Sequence, residues 1–416
     1  MVTKPLNDMS VVEFPQIIER GCGLDVHRET VVATIQGKDI EKETRTFGCF
    51  TMELEKLICW LQNHGITHVA MESTGVYWKP VYYVMEPFFE LLLVNARHIK
   101  NVPGHKTDKK DSEWIAKLLL SGLLKKSFVP DQRTRELRML YRHRKKLINQ
   151  RSTEKNRLHN VLEDANIKLG SVVSDVFGKT GMEILNQLSS GITDHVQLSE
   201  LAKGSLVRKK QELQQALYGR FNSHHQFMLQ LILQTIEQIN ASIERVEKQI
   251  DDYLCQMNEE ARLLQTIPGV SKQVSAGILS EIGTKMEHFI SNKHLASWAG
   301  VCPGNNESAG KKYSSKVTQG NRYLKSILIE AAWSASHTKN THLAYKHHVI
   351  AKRRGSKKAA MAVAHKILTA SYFILRDKTE YREPHLKPEI LAERKRVEIE
   401  RLEKRLKKLK EPASTN

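Results

Sequence analysis

The pattern that constrains this chain most lies in its middle. Leu229, Ile232, Ile236, Ile239, Ile243, Val246, Ile250 and Tyr253 follow one another at spacings of 3, 4, 3, 4, 3, 4 and 3. Only an α-helix gathers such positions onto one stripe, and an apolar stripe of this kind needs a facing helix to cover it. The spacing predicts a rod about 37 Å long, at 1.5 Å per residue. Isoleucine at both seam positions favours more than two strands. Two partners fit equally: a second copy of the chain, or a basic helix earlier in the same chain.

That earlier helix spans residues 131–160, where ten Lys and Arg stand against three Asp and Glu. Leu137, Leu140, Leu147 and Leu158 recur at helical spacing between them. Arg138, Arg142, Arg144 and Lys145 are candidates for contact with phosphates, with an ordinary solvated face as the bland alternative. The whole chain repeats the theme. Its 416 residues carry a formal net charge of +19, which calls for an anionic partner, nucleic acid ahead of an anionic membrane surface. The longest apolar run, near Val81–Val94, is broken by Glu86, Pro87 and Glu90, so no membrane span is expected. The N-terminus lacks the apolar core of a signal peptide. Five scattered cysteines with no CxxC pair argue against a disulfide framework and a structural zinc site, and all five read as small buried apolar residues of a cytoplasmic protein.

Ahead of the basic helix the periodicity changes. Gly23–His27, Thr30–Ile35 and Arg45–Phe50 read as strands, Met52–Asn63 as a helix, and Thr67–Met71 as a strand. Val76–Glu86 reads as a helix, Leu91–Val94 as a buried strand and Asp111–Leu120 as an amphipathic helix. The order β-β-β-α-β-α-β-α makes an α/β unit. The chain thus divides into a leader (1–19), an α/β domain (20–130), a basic helix and coiled-coil region (131–260), a helical C-terminal domain (261–380) and a charged helical tail (381–416). Residues 170–200, rich in Gly and Ser, read as loops with one short helix. The tail seam of Ile399, Leu402, Leu406 and Leu409 reads as a solvated helix.

Four acids in the α/β unit carry the first chemistry. Asp25 stands inside the apolar run Gly-Leu-Asp-Val-His, where a carboxylate is costly unless cations or donors meet it. Glu72 closes the strand His-Val-Ala-Met-Glu, at the strand end where α/β sheets place ligands. Asp108 and Asp111 share one face at the start of a helix, flanked by Lys106, Lys109 and Lys110. Singly, each has a structural explanation, such as a water-facing strand position or an N-terminal helix acid. Together they can form an oxygen-rich site for Mg²⁺ or Mn²⁺, which suits phosphodiester chemistry.

In this order, Asp25, Glu72, Asp108 and Asp111 resemble the RuvC/RNase H-like fold. The phrases Gly-Leu-Asp-Val-His, Glu-Ser-Thr-Gly-Val-Tyr and Lys-Thr-Asp-Lys-Lys-Asp resemble the DEDD transposases of bacterial insertion sequences, the group associated with a bridge RNA. Ser112 stands where an alanine is common in that family, and Ala96 where a proline is common.

The C-terminal region adds two features. Two helical stretches around Ile267-Pro-Gly-Val270 look like a helix-hairpin-helix, in which Gly269 lets backbone N–H groups reach a phosphate, unless the turn merely joins packed helices. Ser308 then lies in a Gly-bounded loop ahead of Lys311 and Lys312. Arg322 follows, and Arg353, Arg354 and Lys357 form a further basic cluster. Sequence alone shows no base beside Ser308. The stretches Gly300–Lys311, Gly320–Lys325 and Arg354–Leu368 resemble the C-terminal domain of the same transposases, so the likeness extends over residues 20–376. It implies that Ser308 is a nucleophile, with Ser314 and Ser315 as rivals. It further implies a covalent phosphoserine intermediate, DNA as substrate, a structured noncoding guide RNA and a homo-oligomer, dimer or tetramer. The active site would be shared between subunits, in a bacterial, nucleoid-associated protein. Two other readings remain: a RuvC-like metal-dependent endonuclease or junction resolvase that uses water, and a nucleic-acid-binding scaffold without chemistry.

Overall fold

The computed structural model describes residues 17–73, 75–96, 99, 111–303, 306–308, 311–314, 317, 319–383 and positions 396, 399, 400, 402, 403 and 406. They belong to two compact units, residues 1–129 and 130–416.

The first unit is built on five strands: β1 (Arg20–Val26), β2 (Thr30–Gly37), β3 (Ile40–Gly48), β4 (His68–Glu72) and β5 (Glu90–Val94). Their order in the sheet is β3-β2-β1-β4-β5. The first three pair antiparallel, while β4 runs parallel to β1 and β5 parallel to β4. β3 begins at Ile40, five residues ahead of the expected Arg45, because this edge strand is largely solvated and so lacks a clear apolar alternation. Helices α1 (Thr51–Asn63), α2 (Trp78–Met85) and α3 (Asp111–Leu120) complete the unit. Side chains alternate across the sheet. Cys22, Leu24 and Val26 of β1 enter a core with Leu57 and Leu61 of α1 and Val81 and Met85 of α2. The opposite face carries Ala70 and Val94, packed with Ile115, Leu118 and Leu119 of α3. β1 is therefore a central strand, and Asp25 does not lie on a sheet edge.

The second unit is helical: α4 (Gln132–Asp164), α5 (Leu169–Val172), α6 (Lys179–Ser189), α7 (His195–Ser199), α8 (Lys210–Leu217), α9 (Ser223–Leu254), α10 (Asn258–Gln265), α11 (Lys272–Ile282) and α12 (Asn292–Ala299). A two-stranded ribbon of β6 (Asn306–Ser308) and β7 (Lys311–Ser314) follows, then α13 (Arg322–His337), α14 (His342–Arg354) and α15 (Ser356–Asp377). The heptad stripe lies on α9, and its partner is α4 of the same chain. Leu229, Ile232, Ile236, Ile243 and Ile250 are buried. Polar ties fix an antiparallel register: Tyr253 donates to Glu136 at 2.8 Å, Arg144 to Glu247 at 2.7 Å, Arg151 to Asn240 at 2.9 Å, and His225 meets Asp164 at 2.9 Å. Each helix starts with a side-chain cap, Asp131 for α4 and Asn222 for α9.

Two expectations need correction. Residues 170–200 hold more helix than expected, chiefly the eleven residues of α6. Gly178 and Gly181 disguise it, yet Ile184, Leu185 and Leu188 form a buried helical face. Of the five cysteines only Cys22 is fully buried, while Cys59 and Cys255 are exposed. Cys59 follows Leu57 and Ile58 in sequence but faces away from the inward stripe of α1. No helix among the described residues is long and apolar enough to cross a membrane.

Candidate functional site

Strand register brings two of the acids together. β1 pairs in parallel with β4 as Gly21 with His68, Gly23 with Ala70 and Leu24 with Met71. One step further along, Asp25 and Glu72 fall side by side at the C-terminal ends of their strands. Both share the sheet face of Ala70, since side chains two apart point the same way. That is the face covered by α3.

Why α3 lies so close follows from the glycines of β1. A Cβ built on Gly23 would stand closer than 2.5 Å to the Ser112 carbonyl oxygen and the Ala116 nitrogen, and 3.0 Å from the Ala116 Cα. Gly21 faces the side chains of Leu119 and Leu120 near the other end of the helix. The helix thus runs antiparallel to β1, and its first residue, Asp111, reaches the level of Asp25. A chain of hydroxyls pins this end: Ser112 Oγ lies 2.8 Å from Thr34 Oγ1, which lies 2.9 Å from Thr44 Oγ1. Ser112 and Thr34 are both buried. The serine that departs from the family's usual alanine therefore has a partner on β2.

The electrostatics agree with this convergence. Burial pushes the Asp25 carboxyl above its ordinary value, and the charges of Asp111 and Glu72 raise it further. His27 opposes the rise, its Nε2 standing 3.2 Å from Asp25 Oδ2. Carboxylates that resist one another's charge in a half-buried setting suit a hard divalent cation, whose oxygen ligands these would be. Among the described residues no three such side chains already stand close enough to ligate one ion. Asp108, the fourth acid, lies outside the described residues, as do Lys106 and Lys109.

In the second unit Ser308 is the last residue of β6, paired with Lys311 of β7, while Glu307 pairs with Lys312. Ser314 pairs with Asn306 at the other end of the ribbon. Ser315 lies outside the described residues. An isolated bridge between Pro303 and Val317 closes the ribbon's base.

The expected phosphate contacts divide into two groups. Arg138, Arg142 and Arg144 are engaged within the protein: Arg142 grips Glu281, Arg138 donates to the carbonyls of Ser280 and Glu281, and Arg144 grips Glu247. Their density in the sequence reflects internal pairing with acids more than a hundred residues away. Lys145 is half-buried on the same helix. Gly269 has φ +85°, and a Cβ there would meet Ala335 N at 2.5 Å and Ala331 O at 2.6 Å. Its glycine therefore serves a close approach to α13, as in a turn joining packed helices. By contrast, Arg322, Arg353, Arg354 and Lys357 are exposed, the last three at the corner between α14 and α15.

Sequence reasoning overlooked three residues that shape these regions. Thr34 is a polar residue in the buried run Val31–Ile35, and that oddity was its signal. His27 lies two residues from Asp25, a strand spacing that puts both on one face. Glu281 is an acid in the buried stretch Val274–Ile282 of α11, with no exposed surface.

Comparison with known proteins bears on both units. A model of DEDD transposases of the IS110 type matches residues 22–167, and a model of the transposase IS116/IS110/IS902 family matches residues 261–347. The pilin gene-inverting proteins of Moraxella bovis and Moraxella lacunata are each 33% identical over 124 residues. Each match covers 29% of this chain and 38% of the relative, so the chain spans well under half the length of these relatives. The two family matches fall on separate stretches that together make up more than half of the sequence, and the chain belongs to the IS110-type transposases.

Proposed function

We propose that the chain cuts and rejoins DNA strands at the ends of an insertion sequence and at its target. Ser308 is the nucleophile, and Asp25, Glu72, Asp108 and Asp111 hold Mg²⁺ or Mn²⁺. The working form is an oligomer in which different copies supply the carboxylates and the serine, with a structured RNA selecting the DNA. The observation that carries this reading is that Asp25 and Glu72 lie at neighbouring strand ends on the sheet face that α3 covers, with Asp111 at the start of α3 near enough that both acids raise Asp25. The sheet order β3-β2-β1-β4-β5 supports the RuvC-like reading of the unit that bears them. The relatives' name, pilin gene-inverting protein, supports recombination over simple hydrolysis.

In this scheme the Ser308 hydroxyl bonds to phosphorus, and the bond from phosphorus to the 3′ oxygen breaks. The serine's proton passes to solvent or a nearby base, and the leaving oxygen takes up a proton as a free 3′ hydroxyl. A 3′ hydroxyl from another strand then displaces the serine, which recovers its proton. One phosphoester replaces another at each step, so rejoining needs no ATP. A bound cation supplies charge withdrawal from the phosphate oxygens. Asp25 and Glu72, on a rigid sheet, and Asp111, held by the Thr34–Ser112 bond, fix where that charge sits. Arg353, Arg354 and Lys357 bind the DNA backbone. Lys357 and Lys358 stand in the first turn of α15, where the helix dipole favours anions and disfavours cations, an arrangement that an anionic strand relieves.

The test incubates the protein with a labelled duplex carrying the DNA that flanks its own reading frame, Mg²⁺ and the adjacent noncoding RNA. A protease-sensitive DNA–protein adduct is expected from the parent and none from Ser308→Ala. Cutting by Ser308→Ala at the parental rate replaces the serine with water. An Mg²⁺ or Mn²⁺ response shared equally by Asp25→Ala and the parent removes the cation from these acids.

A further inference from the structure

Glu281 on α11 is a carboxylate with no exposed surface, and the chemistry above leaves it without a task. Arg142 grips it with two parallel bonds, Nε to Oε1 and Nη2 to Oε2, both 2.8 Å. Arg138 donates to the backbone carbonyls of Ser280 at 3.1 Å and of Glu281 at 2.7 Å. Both arginines lie on α4. The third partner comes from elsewhere: Asn321 Nδ2 donates to Oε2 at 2.6 Å. The other end of the same amide caps α13, with Oδ1 accepting from the N–H groups of Tyr323 at 3.0 Å and Leu324 at 3.1 Å. The Arg142 guanidinium lies 4.3 Å from the centre of the Tyr323 ring.

A buried ion pair contributes little net stability over well-packed apolar side chains, so bulk stability is a poor reason for this one. Its location is more telling. Asn321 ends the segment that carries Ser308, Lys311 and Lys312. Its N–H donates to the Trp298 carbonyl at 3.1 Å, in the last turn of α12, just before that segment begins. Entry and exit of the ribbon are thus joined to one another, and the exit is held by Glu281 against the basic helix α4.

We infer that Glu281 is a positioning residue: through Asn321 it fixes the root of the ribbon that presents Ser308. The inference rests on the proposed role of Ser308 for its catalytic consequence, though not for the mechanical one. Loss of the tie leaves the ribbon in place but lets its orientation vary, and a nucleophile displaced by about 1 Å loses on the order of a hundredfold in rate.

Three variants test it: Asn321→Ser, Asn321→Asp and Glu281→Gln. Serine caps a helix as well as asparagine but cannot keep the amide bond to Glu281, and it leaves the Arg142–Glu281 pair intact, so this variant is expected to fold. Asn321→Asp also keeps a cap for α13, but it sets a carboxylate against the Glu281 oxygen that accepts from the amide. Two readouts are taken on the full chain: hydrogen exchange of the amides of residues 306–314, and the rate of adduct formation at saturating DNA, with DNA affinity measured alongside. Asn321→Ser and Glu281→Gln are expected to speed ribbon exchange and to slow adduct formation at least tenfold, with DNA affinity within threefold of the parent. Asn321→Asp is expected to behave as Asn321→Ser does. Parental exchange and adduct rates in Asn321→Ser overturn the inference, whether or not Glu281→Gln folds. So do parental exchange and adduct rates in Asn321→Asp. A parent that forms no adduct, while Ser308→Ala still cuts, removes the serine mechanism instead, and the exchange arm still reports on Glu281.

Discussion

Gly23→Ala is the sharpest probe of the carboxylate site, because it touches none of the acids. The added Cβ would fall closer than 2.5 Å to two backbone atoms of α3, against an ordinary contact of about 3.4 Å. Backbone cannot rotate away as a side-chain tip can, so α3 has to recede by about 1 Å at Ser112. Overpacking of this kind costs about 1–3 kcal/mol. The same recession stretches the 2.8 Å bond from Ser112 to Thr34 beyond hydrogen-bonding range and leaves a buried hydroxyl unpaired, for roughly another 1 kcal/mol or more. It also draws Asp111, the neighbouring residue, away from Asp25. Calorimetry is expected to show a fall in melting temperature of several degrees, and titration with Mn²⁺ an affinity at least tenfold weaker. Gly21→Ala is the control. Its Cβ would meet the tip of Leu119 at 2.9 Å, which can turn aside, so it should disturb both readouts less. A Gly23→Ala protein that melts and binds Mn²⁺ like the parent would refute the derivation of the site from the approach of α3 to β1.

Other outcomes follow from the same geometry. Asp25 has a raised pKa in the fold, so the metal-free protein loses stability as pH rises from the ordinary 3.8 through the folded value; Asp25→Asn should flatten that loss in calorimetry with chelator, raise the melting temperature at neutral pH, and abolish stabilisation by Mn²⁺. Arg142→Met strands Glu281 without its guanidinium and is expected to cost about 3–5 kcal/mol in urea unfolding. Arg353→Ala with Arg354→Ala, both exposed, should change stability by less than about 0.5 kcal/mol while lowering the salt dependence of DNA binding. Ile243→Ala removes a buried residue of the α9 stripe and should cost about 2–4 kcal/mol at every protein concentration, because the stripe is covered from within the chain.

How far the sequence spoke depended on whether a signal was local. The stripe on α9 was legible because its period is a property of one helix. Its partner was not, because a heptad reports that a face is apolar and not which surface covers it. α4 shows Leu137, Leu140, Leu147 and Leu158 at helical spacing but only polar residues from Asn149 to Arg157, so its sequence made it one of two candidate partners without deciding between them. The strands of the first unit were read close to their observed limits except for β3, whose solvated edge suppresses the alternation that marks a strand. Asp25 and Glu72 were legible as acids in strand-like runs, and their adjacency then followed from parallel register. What stayed hidden was the reason α3 can bring Asp111 to them, since a close helix approach is written in Gly23 and Ser112 jointly, almost ninety residues apart.

The arginines of α4 and the acid they meet show the same limit of local signals. Asp25 and Glu281 offer the same oddity in sequence, an acid amid apolar neighbours, and burial penalises both. They are resolved in opposite ways. Glu281 is sealed from solvent and met by a bidentate guanidinium and an amide, so its charge is balanced and its hydrogen-bonding capacity is taken up within the fold. Asp25 keeps part of its surface open, has one exposed histidine for support, and faces two more acids. A carboxylate of the first kind can only hold parts of the protein together. One of the second kind remains short of positive charge, and an incoming cation lowers its energy. The arginines of α4, read from sequence as candidates for phosphate contact, are the counterpart of that first case: Arg142 commits two of its five N–H groups to Glu281, and Arg138 and Arg144 are likewise engaged within the protein. Arg353, Arg354 and Lys357, exposed at the corner between α14 and α15, remain the stronger candidates to meet DNA.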